Sequence, residues 1–574
     1  MASVRVKHFF NGRFYEIPKY QRGYAWEKRN VREFFEDIFE SIETQSSHYI
    51  GTFVLSQHPA GEDHFYVVDG QQRIATIALI INEVIKYLSE SDAAFYHRFY
   101  IAEEGELGKG KVLRLRTLGK DNVYFSDLLR GRVNEPQNKS QRLIREAHEE
   151  IQTTVARIGD KQRFLKSIEN LEIMEFIEQS EGDAIRIFQT VNDRGKPLSN
   201  MEKAKSLLIY FSNRYLEKKL DDKINNLFGE IFEIYDDIKH IGETQSINLI
   251  KSRDFDEDNI MRYHFVSYCN ENYDATAQYV LRYLKKNLAK LRDEGRENGF
   301  DDMEDFTNGY TESLHDFFRA LKEILARTQE SEKHYRIFTV LGLSATLYPL
   351  IVKLEMLGKL ETELPDKQLR DYTFLDILEI IDVRVYKTRG TDPRAEISRF
   401  TTELDDTWSD KKIQDWLLWY NQRWMPKEEF VTKLNGHIYG NRALAHMFID
   451  YCEHLEEVNY TLDELRSIVG EDPTIEHILS QTPKFSFESA GFRDNGQFLE
   501  YQDTLGNLTV LEKRLNSAVR HRVPVNKVPY YDRSLFKMTR ISSSLIDERG
   551  QFGRSDIEDR REELSDYLLK RWWC

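Results

Sequence analysis

The run Thr474-Ile475-Glu476-His477-Ile478-Leu479-Ser480-Gln481 decides how the C-terminal part of the chain is read. A polar loop of about twenty residues follows, then Leu505-Gly506-Asn507-Leu508-Thr509-Val510-Leu511 and Leu515-Asn516-Ser517. Each half is a short β-pattern, with β-branched and apolar residues around one polar side chain. Gly506 closes the loop between the strands, and the segment from Glu512 can turn helical. Strand, loop, strand, helix is a small frame able to hold a metal. A hard divalent cation takes oxygen ligands, which Glu476 and Asn516 can supply. His477 points away from Glu476 on a strand but can reach the same site from the strand's frayed end. A neutral imidazole there can deprotonate a water for attack on a phosphodiester, while the metal stabilises the leaving oxygen.

This set resembles the ββα-metal, or HNH, nucleases, and more closely the C-terminal nuclease domain of the GmrSD-type restriction proteins, with its E-H-I-L-P-Q, L-G-N-L-T and L-N-S elements. The resemblance implies that Glu476 and Asn516 are metal ligands for Mg2+ or Mn2+, that His477 is the general base, and that Asn507 orients it. One departure is visible: the family's proline after H-I-L is Ser480 here. Proline would rigidify the chain leaving the strand, so a looser loop is expected. No catalytic group is lost.

The site sits in an acidic chain. The 574 residues carry a formal net charge of -16, with 40% hydrophobic and 31% charged residues. An acidic protein repels DNA at long range, so any DNA contact must be local. One basic run directly follows the expected metal site. It holds Lys513, Arg514, Arg520, Arg522 and Lys527, the residues assigned to DNA, and continues through Arg533, Lys537 and Arg540. Three widely spaced cysteines fit a reducing cytosol without a disulfide framework. The start of the chain lacks the apolar run of a signal peptide. Its longest apolar stretch, Ile74 to Ile85, is too short to span a bilayer. A cytoplasmic protein is expected.

Toward the N-terminus, Ile17-Pro18-Lys19-Tyr20-Gln21-Arg22-Gly23-Tyr24-Ala25-Trp26 is a loop carrying Arg22 between aromatic rings, suited to stacking a base and holding a phosphate. A helix is expected over 30–41, then a strand pair over 48–55 and 64–68. The second strand runs into Asp69-Gly70-Gln71-Gln72-Arg73 and a strongly apolar helix. Gly70 allows a tight turn, and the first N–H groups of a helix bind anions readily. Asp69 can engage a metal or a ribose hydroxyl, and Gln71 and Arg73 can reach phosphate. Farther on, Phe188 to Ser199 contains Asn192 and Arg194 on a loop between helices, available to phosphate or base, and Ser199 with Glu202 forms a capping box. Together these elements resemble the N-terminal domain of the GmrSD and SspE families, which is related to the ParB/sulfiredoxin fold. The resemblance implies nucleoside triphosphate hydrolysis, GTP first, at Gln21, Arg22, Asp69, Gly70, Gln71, Gln72, Arg73, Asn192 and Arg194, with Asp69 and Arg73 catalytic.

Residues 105–112 nearly spell a phosphate-binding loop. Val112 stands where Ser or Thr would hold magnesium, so a hairpin turn is the better reading. From Leu216 to Asp410 apolar residues recur at helical spacing. Trp408, Trp416, Trp419 and Trp424 read as aromatic core or a seam, and His437, His446 and His454 as structural.

The expected architecture is α+β and multidomain. Residues 1–215 form a ParB/sulfiredoxin-like sensor and nucleotide-hydrolysing domain, 216–409 a helical spacer, and 410–574 a helical domain with the embedded ββα-metal motif. The function expected is a nucleotide-dependent endonuclease or nickase of anti-phage defence that responds to a DNA modification, either glucosylated hydroxymethylcytosine or phosphorothioate. Its partners would be DNA and a nucleoside triphosphate. A homo-oligomer is compatible with the sequence, and no membrane is involved. The alternative is a nucleotide-gated DNA-binding or scaffold protein with a degenerate nuclease centre. An RNA-cutting enzyme stays open as well, because ββα chemistry does not inspect the 2′-hydroxyl.

Overall fold

The longest apolar stretch sits at the core of the first half of the fold. In the computed structural model, helix α2 (Gln71–Ile85) is buried at every residue from Ile74 to Ile85, as expected of a helix that is apolar nearly all round. Its three polar intruders are satisfied, Thr76 by donating to the Gln72 carbonyl. Asn82 donates to the Leu129 carbonyl, and Glu83 meets Lys86 and His148. The structure describes residues 2–18, 21, 23–44, 48–104, 111–117, 119–179, 199–269, 272–369 and 372–573.

Around α2 lie α1 (Lys28–Thr44), α3 (Lys139–Arg157) and a six-stranded mixed sheet. The strands are β1 (Ala2–Arg5), β2 (Phe14–Glu16), β3 (Tyr49–Gln57), β4 (His64–Asp69), β5 (Leu115–Arg116) and β6 (Glu172–Glu178). Their order is β1-β6-β3-β4-β2-β5. β3 and β4 are the expected antiparallel pair, and β6 returns to lie parallel to β3. Residues 102–104 and 111–113 pair antiparallel; residues 105–110 of the near-miss phosphate loop, where a hairpin turn was expected, lie outside the described residues. Helix α4 (Asn200–Tyr215) begins on the expected capping box of Ser199 and Glu202.

By its contacts the chain separates into two compact units, Met1–Asp237 with Thr276–His315, and Ile238–Ala275 with Asp316–Cys574. The helical middle is therefore divided between them. Residues 277–298 pack on α4, whereas α5 (Glu257–Tyr268) packs on α6 (Tyr348–Met356) and α7 (Arg394–Glu403). Helices rich in apolar residues on one face join whichever neighbour covers that face.

In the second unit, β7 (Pro473–His477) and β8 (Leu508–Glu512) pair antiparallel, with His477 opposite Leu508 and Glu476 opposite Thr509. Helix α8 (Leu444–Glu456) precedes them in the chain, α9 (Asn495–Gln502) lies in the connecting loop, and α10 (Lys513–Val519) follows β8 directly. Ile478, Leu479, Phe498, Leu511, Leu515 and Val519 form a local core under this frame. The last helix, α11 (Arg554–Arg571), covers residues 505–507. A Cβ on Gly506 would stand 1.9 Å from the Ile557 carbonyl oxygen of α11. The tail packs back, as expected: Trp572 is fully buried beside His446. Trp416 stacks on Phe400 at 3.8 Å, while Trp419 stays half exposed. The chain is thus an α+β multidomain protein.

Candidate nuclease cleft and nucleotide turn

Strand β7 ends at the lip of an open cleft lined by Thr474, Glu476, His477, Ser480, Asn516 and Arg520, among others. The end of the strand brings His477 and Asn516 to one place, but each side chain has a different job. His477 Nε2 lies 2.8 Å from Asp503 Oδ1, and the Tyr439 ring sits 4.3 Å from the imidazole. Asp503 is fixed in turn. Its carboxylate accepts from Gln481, and its carbonyl accepts from the Ile438 and Tyr439 amides. Burial pulls the His477 pKa below the ordinary histidine value, with Asp503 opposing the shift. Burial thus favours the neutral ring. With Nε2–H donated to Asp503, Nδ1 is left as the acceptor.

Asn507 is fully buried. Its Oδ1 accepts from the Leu479 amide at 2.7 Å, and its Nδ2 donates to the Leu479 and Gln502 carbonyls. It ties the chain leaving His477 to the chain approaching Asp503 without touching the ring. Asn516 Nδ2 donates to Thr474 Oγ1 at 2.9 Å and to the Ile475 carbonyl at 3.3 Å, which orients its amide.

Glu476 points inward. Its Oε1 accepts from Lys527 Nζ at 2.5 Å and from the Tyr531 hydroxyl at 3.2 Å. Lys527 also donates to the His477 carbonyl. Burial raises the Glu476 carboxyl pKa and lowers that of Lys527, while their mutual attraction opposes both shifts. The assignment of Lys527 to DNA is corrected here: the side chain is wholly buried and pins the end of β7. Lys513, Arg514, Arg520 and Arg522 are exposed; Lys513 pairs with Asp472, and Arg522 lies over Tyr530. Ser480 does not leave the loop loose. Its hydroxyl lies 3.1 Å from His521 Nδ1 and accepts from the Thr482 amide.

In the first unit the structure gathers Gln21, Asp69, Gly70, Gln71, Gln72 and Arg73 at one strand-to-helix turn. Gly70 takes φ 96°, and a Cβ there would meet the Phe53 ring at 2.4 Å. Arg73 was expected to reach phosphate. Its guanidinium instead donates to the Ile50 and Thr52 carbonyls of β3 and lies over Phe53. The Gln72 amide holds the loop at Gly23 and Ala25, and Gln21 donates to the Val68 carbonyl. Gln71 Oε1 and Thr117 Oγ1 are buried without a partner among the described residues and line one small cavity with Asp121. Arg22, Asn192 and Arg194 lie outside the described residues.

Two family models match the chain. The GmrSD restriction endonuclease N-terminal domain matches residues 6–209, and the GmrSD restriction endonucleases' C-terminal domain matches residues 421–567. Between them they cover more than half of the chain. It belongs to the GmrSD restriction endonucleases. As a member of that family it is a nuclease of phage defence with DNA as its partner. No curated protein matches it. Among the described residues no helix is long and apolar enough to cross a membrane.

Sequence reading of this GmrSD chain missed Asp503, Tyr439 and Tyr531 and misplaced Lys527. Asp503 stands 26 residues from its histidine, in a loop whose acidic residues look alike until the fold selects one. His437, read as structural, stands 3.8 Å from the other oxygen of Asp503. His446 is structural as expected, buried against Glu379.

Proposed function

We propose that the cleft at the end of β7 hydrolyses DNA phosphodiesters, with His477 as general base and Asp503 as the group that holds it. The observation carrying this reading is the pairing of a buried imidazole with a fixed carboxylate at the lip of an open cleft that also presents Asn516. Nδ1 takes a proton from water as the water oxygen forms a bond to phosphorus. The bond from phosphorus to the leaving oxygen breaks, and that oxygen is protonated from solvent. Arg520, Lys513 and Arg514 hold the strand by its phosphates.

The donor set in the cleft, amide and carboxylate oxygen beside an imidazole, fits Mg2+ or Mn2+. Asn516 and Glu476 are the residues that would hold the ion, Glu476 by exchanging part of its contact with Lys527. When bound, such an ion supplies positive charge at the phosphate and the leaving oxygen.

The turn from Asp69 to Arg73 is the proposed site of nucleoside triphosphate hydrolysis, with GTP the first nucleotide to test. Gly70 lets the chain enter α2 with its leading N–H groups unpaired within the helix. Gln71 and Asp69 are the side chains suited to a ligand, and Arg73 keeps β3 in place beneath them. Hydrolysis then gates cleavage of modified DNA. A second reading, a DNA-binding protein whose centre does not cut, draws on the Glu476–Lys527 pair, in which an ammonium already neutralises the carboxylate.

The test uses matched plasmids, unmodified and phosphorothioated, and phage DNA carrying glucosylated hydroxymethylcytosine. Each is incubated with Mg2+ or Mn2+, with and without GTP or ATP. Modification-selective cutting that His477→Ala abolishes, with nucleotide turnover retained, supports the nuclease reading. Nucleotide turnover without cutting of any substrate supports the second.

A further inference from the structure

The helical part of the second unit contains a larger cleft that the nuclease reading does not use. It lies between α5, the 342–346 loop leading to α6, and the segment 386–394, and it encloses about 660 Å3, within the range of about 300–1,000 Å3 usual for small-molecule sites. Its walls carry four cations, Arg262, Lys387, Arg394 and Arg442, in a chain whose formal net charge is -16.

These cations differ in what they are already doing. Lys387 is almost entirely buried and pairs with the fully buried Asp382, while donating to the Gly342 carbonyl. Arg394 is held by Asp392 and Asp274. Those two cations shape the walls. Arg262 donates its Nε to the Ala275 carbonyl, and Arg442 is exposed; among the described residues neither has a carboxylate partner. Two guanidinium groups therefore face one cleft without internal neutralisation, and guanidinium forks match phosphate oxygens in geometry and charge. Beside them stand the aromatic side chains of Tyr263, Tyr273 and Tyr386 and the hydroxyls of Ser344, Thr346 and Thr391. Tyr273 is half exposed, available to stack on a planar ring.

We infer that this cleft binds a small phosphorylated molecule of nucleotide size, with Arg262 and Arg442 on its phosphates and Tyr273 against its base. The site shares no residue with the turn at Asp69–Arg73, so it stands whether or not that turn hydrolyses a nucleotide.

The experiment is calorimetric titration of the full chain at low salt with inorganic pyrophosphate, with GDP and with a short single-stranded oligonucleotide. Arg442→Gln is the main variant, because among the described residues its exposed side chain has no ion pair or hydrogen bond to lose; Arg262→Gln and Tyr273→Ala accompany it. The expected result is pyrophosphate and GDP binding that each arginine variant weakens about tenfold or more. Tyr273→Ala should weaken GDP binding and spare pyrophosphate. A second GDP site that survives the arginine variants but is lost in Gln71→Ala would belong to the N-terminal turn and leaves this result intact. Pyrophosphate binding unchanged in Arg442→Gln and Arg262→Gln overturns the inference. So does binding of the oligonucleotide alone, which would make the cleft a strand groove.

Discussion

At the scale of single residues, the account turns on what holds each polar side chain. Asp503 opposes the fall in the His477 pKa that burial imposes. Catalysis needs the neutral ring, so the rate should be low in acid, rise through the His477 pKa and level off above it. Asp503→Asn removes the opposing charge. The acid limb should then move to lower pH, and the plateau should fall about 10- to 100-fold as the tautomer is released. A limb that stays in place in single-turnover cleavage across pH would remove Asp503 from this role. Arg73 makes a different point. Arg73→Lys keeps the charge but loses the fork that spans the Ile50 and Thr52 carbonyls. It should cost about 2–3 kcal/mol by urea denaturation; a stability equal to wild type would contradict the structural role. The places of His477, Asn507 and Asn516 in one strand-loop-strand-helix frame were legible because they sit on short, patterned segments. Arg73 and Lys527 were misread because sequence shows a charge and not its burial: one lies on β3 carbonyls, the other beneath Glu476.

At the scale of elements, the strand-loop-strand-helix frame was readable from period-two patterning and the glycine between the strands. The covering helix α11 was not, because its contact with residues 505–507 joins parts of the chain about fifty residues apart in a helix whose apolar face is narrow. Arg560 of α11 donates to the Gly506 and Leu508 carbonyls, and Gly506 leaves room for the backbone of that helix. Gly506→Ala should force α11 away, costing about 1–3 kcal/mol or more and lowering cleavage with it. The readouts are the denaturation midpoint and hydrogen exchange in residues 554–571; wild-type exchange there would contradict the close approach.

At the scale of the whole molecule, the α+β class and the helical character of the middle followed from periodicity, whereas its division between two units depends on which apolar faces meet. The second unit has an acid weakness of its own. His264 is fully buried beside Tyr268 and Phe317, and burial lowers its pKa to about 3 from 6.5. Its folded-state pKa is the lower one. The neutral ring's contribution is therefore fully present above pH 6.5 and is lost as pH falls toward 3, at about 1.4 kcal/mol per pH unit. His264→Leu should flatten the fall of the denaturation midpoint across that window; an unchanged slope would place the acid sensitivity elsewhere. The central claim is that the β7 cleft cuts DNA through His477. It is tested most directly by single-turnover cleavage of phosphorothioated plasmid and glucosylated phage DNA with Mn2+ and GTP, comparing wild type with His477→Ala. The account predicts cutting of at least one substrate by wild type and none by the variant, whose fold and nucleotide turnover are intact; equal cutting by both would contradict it.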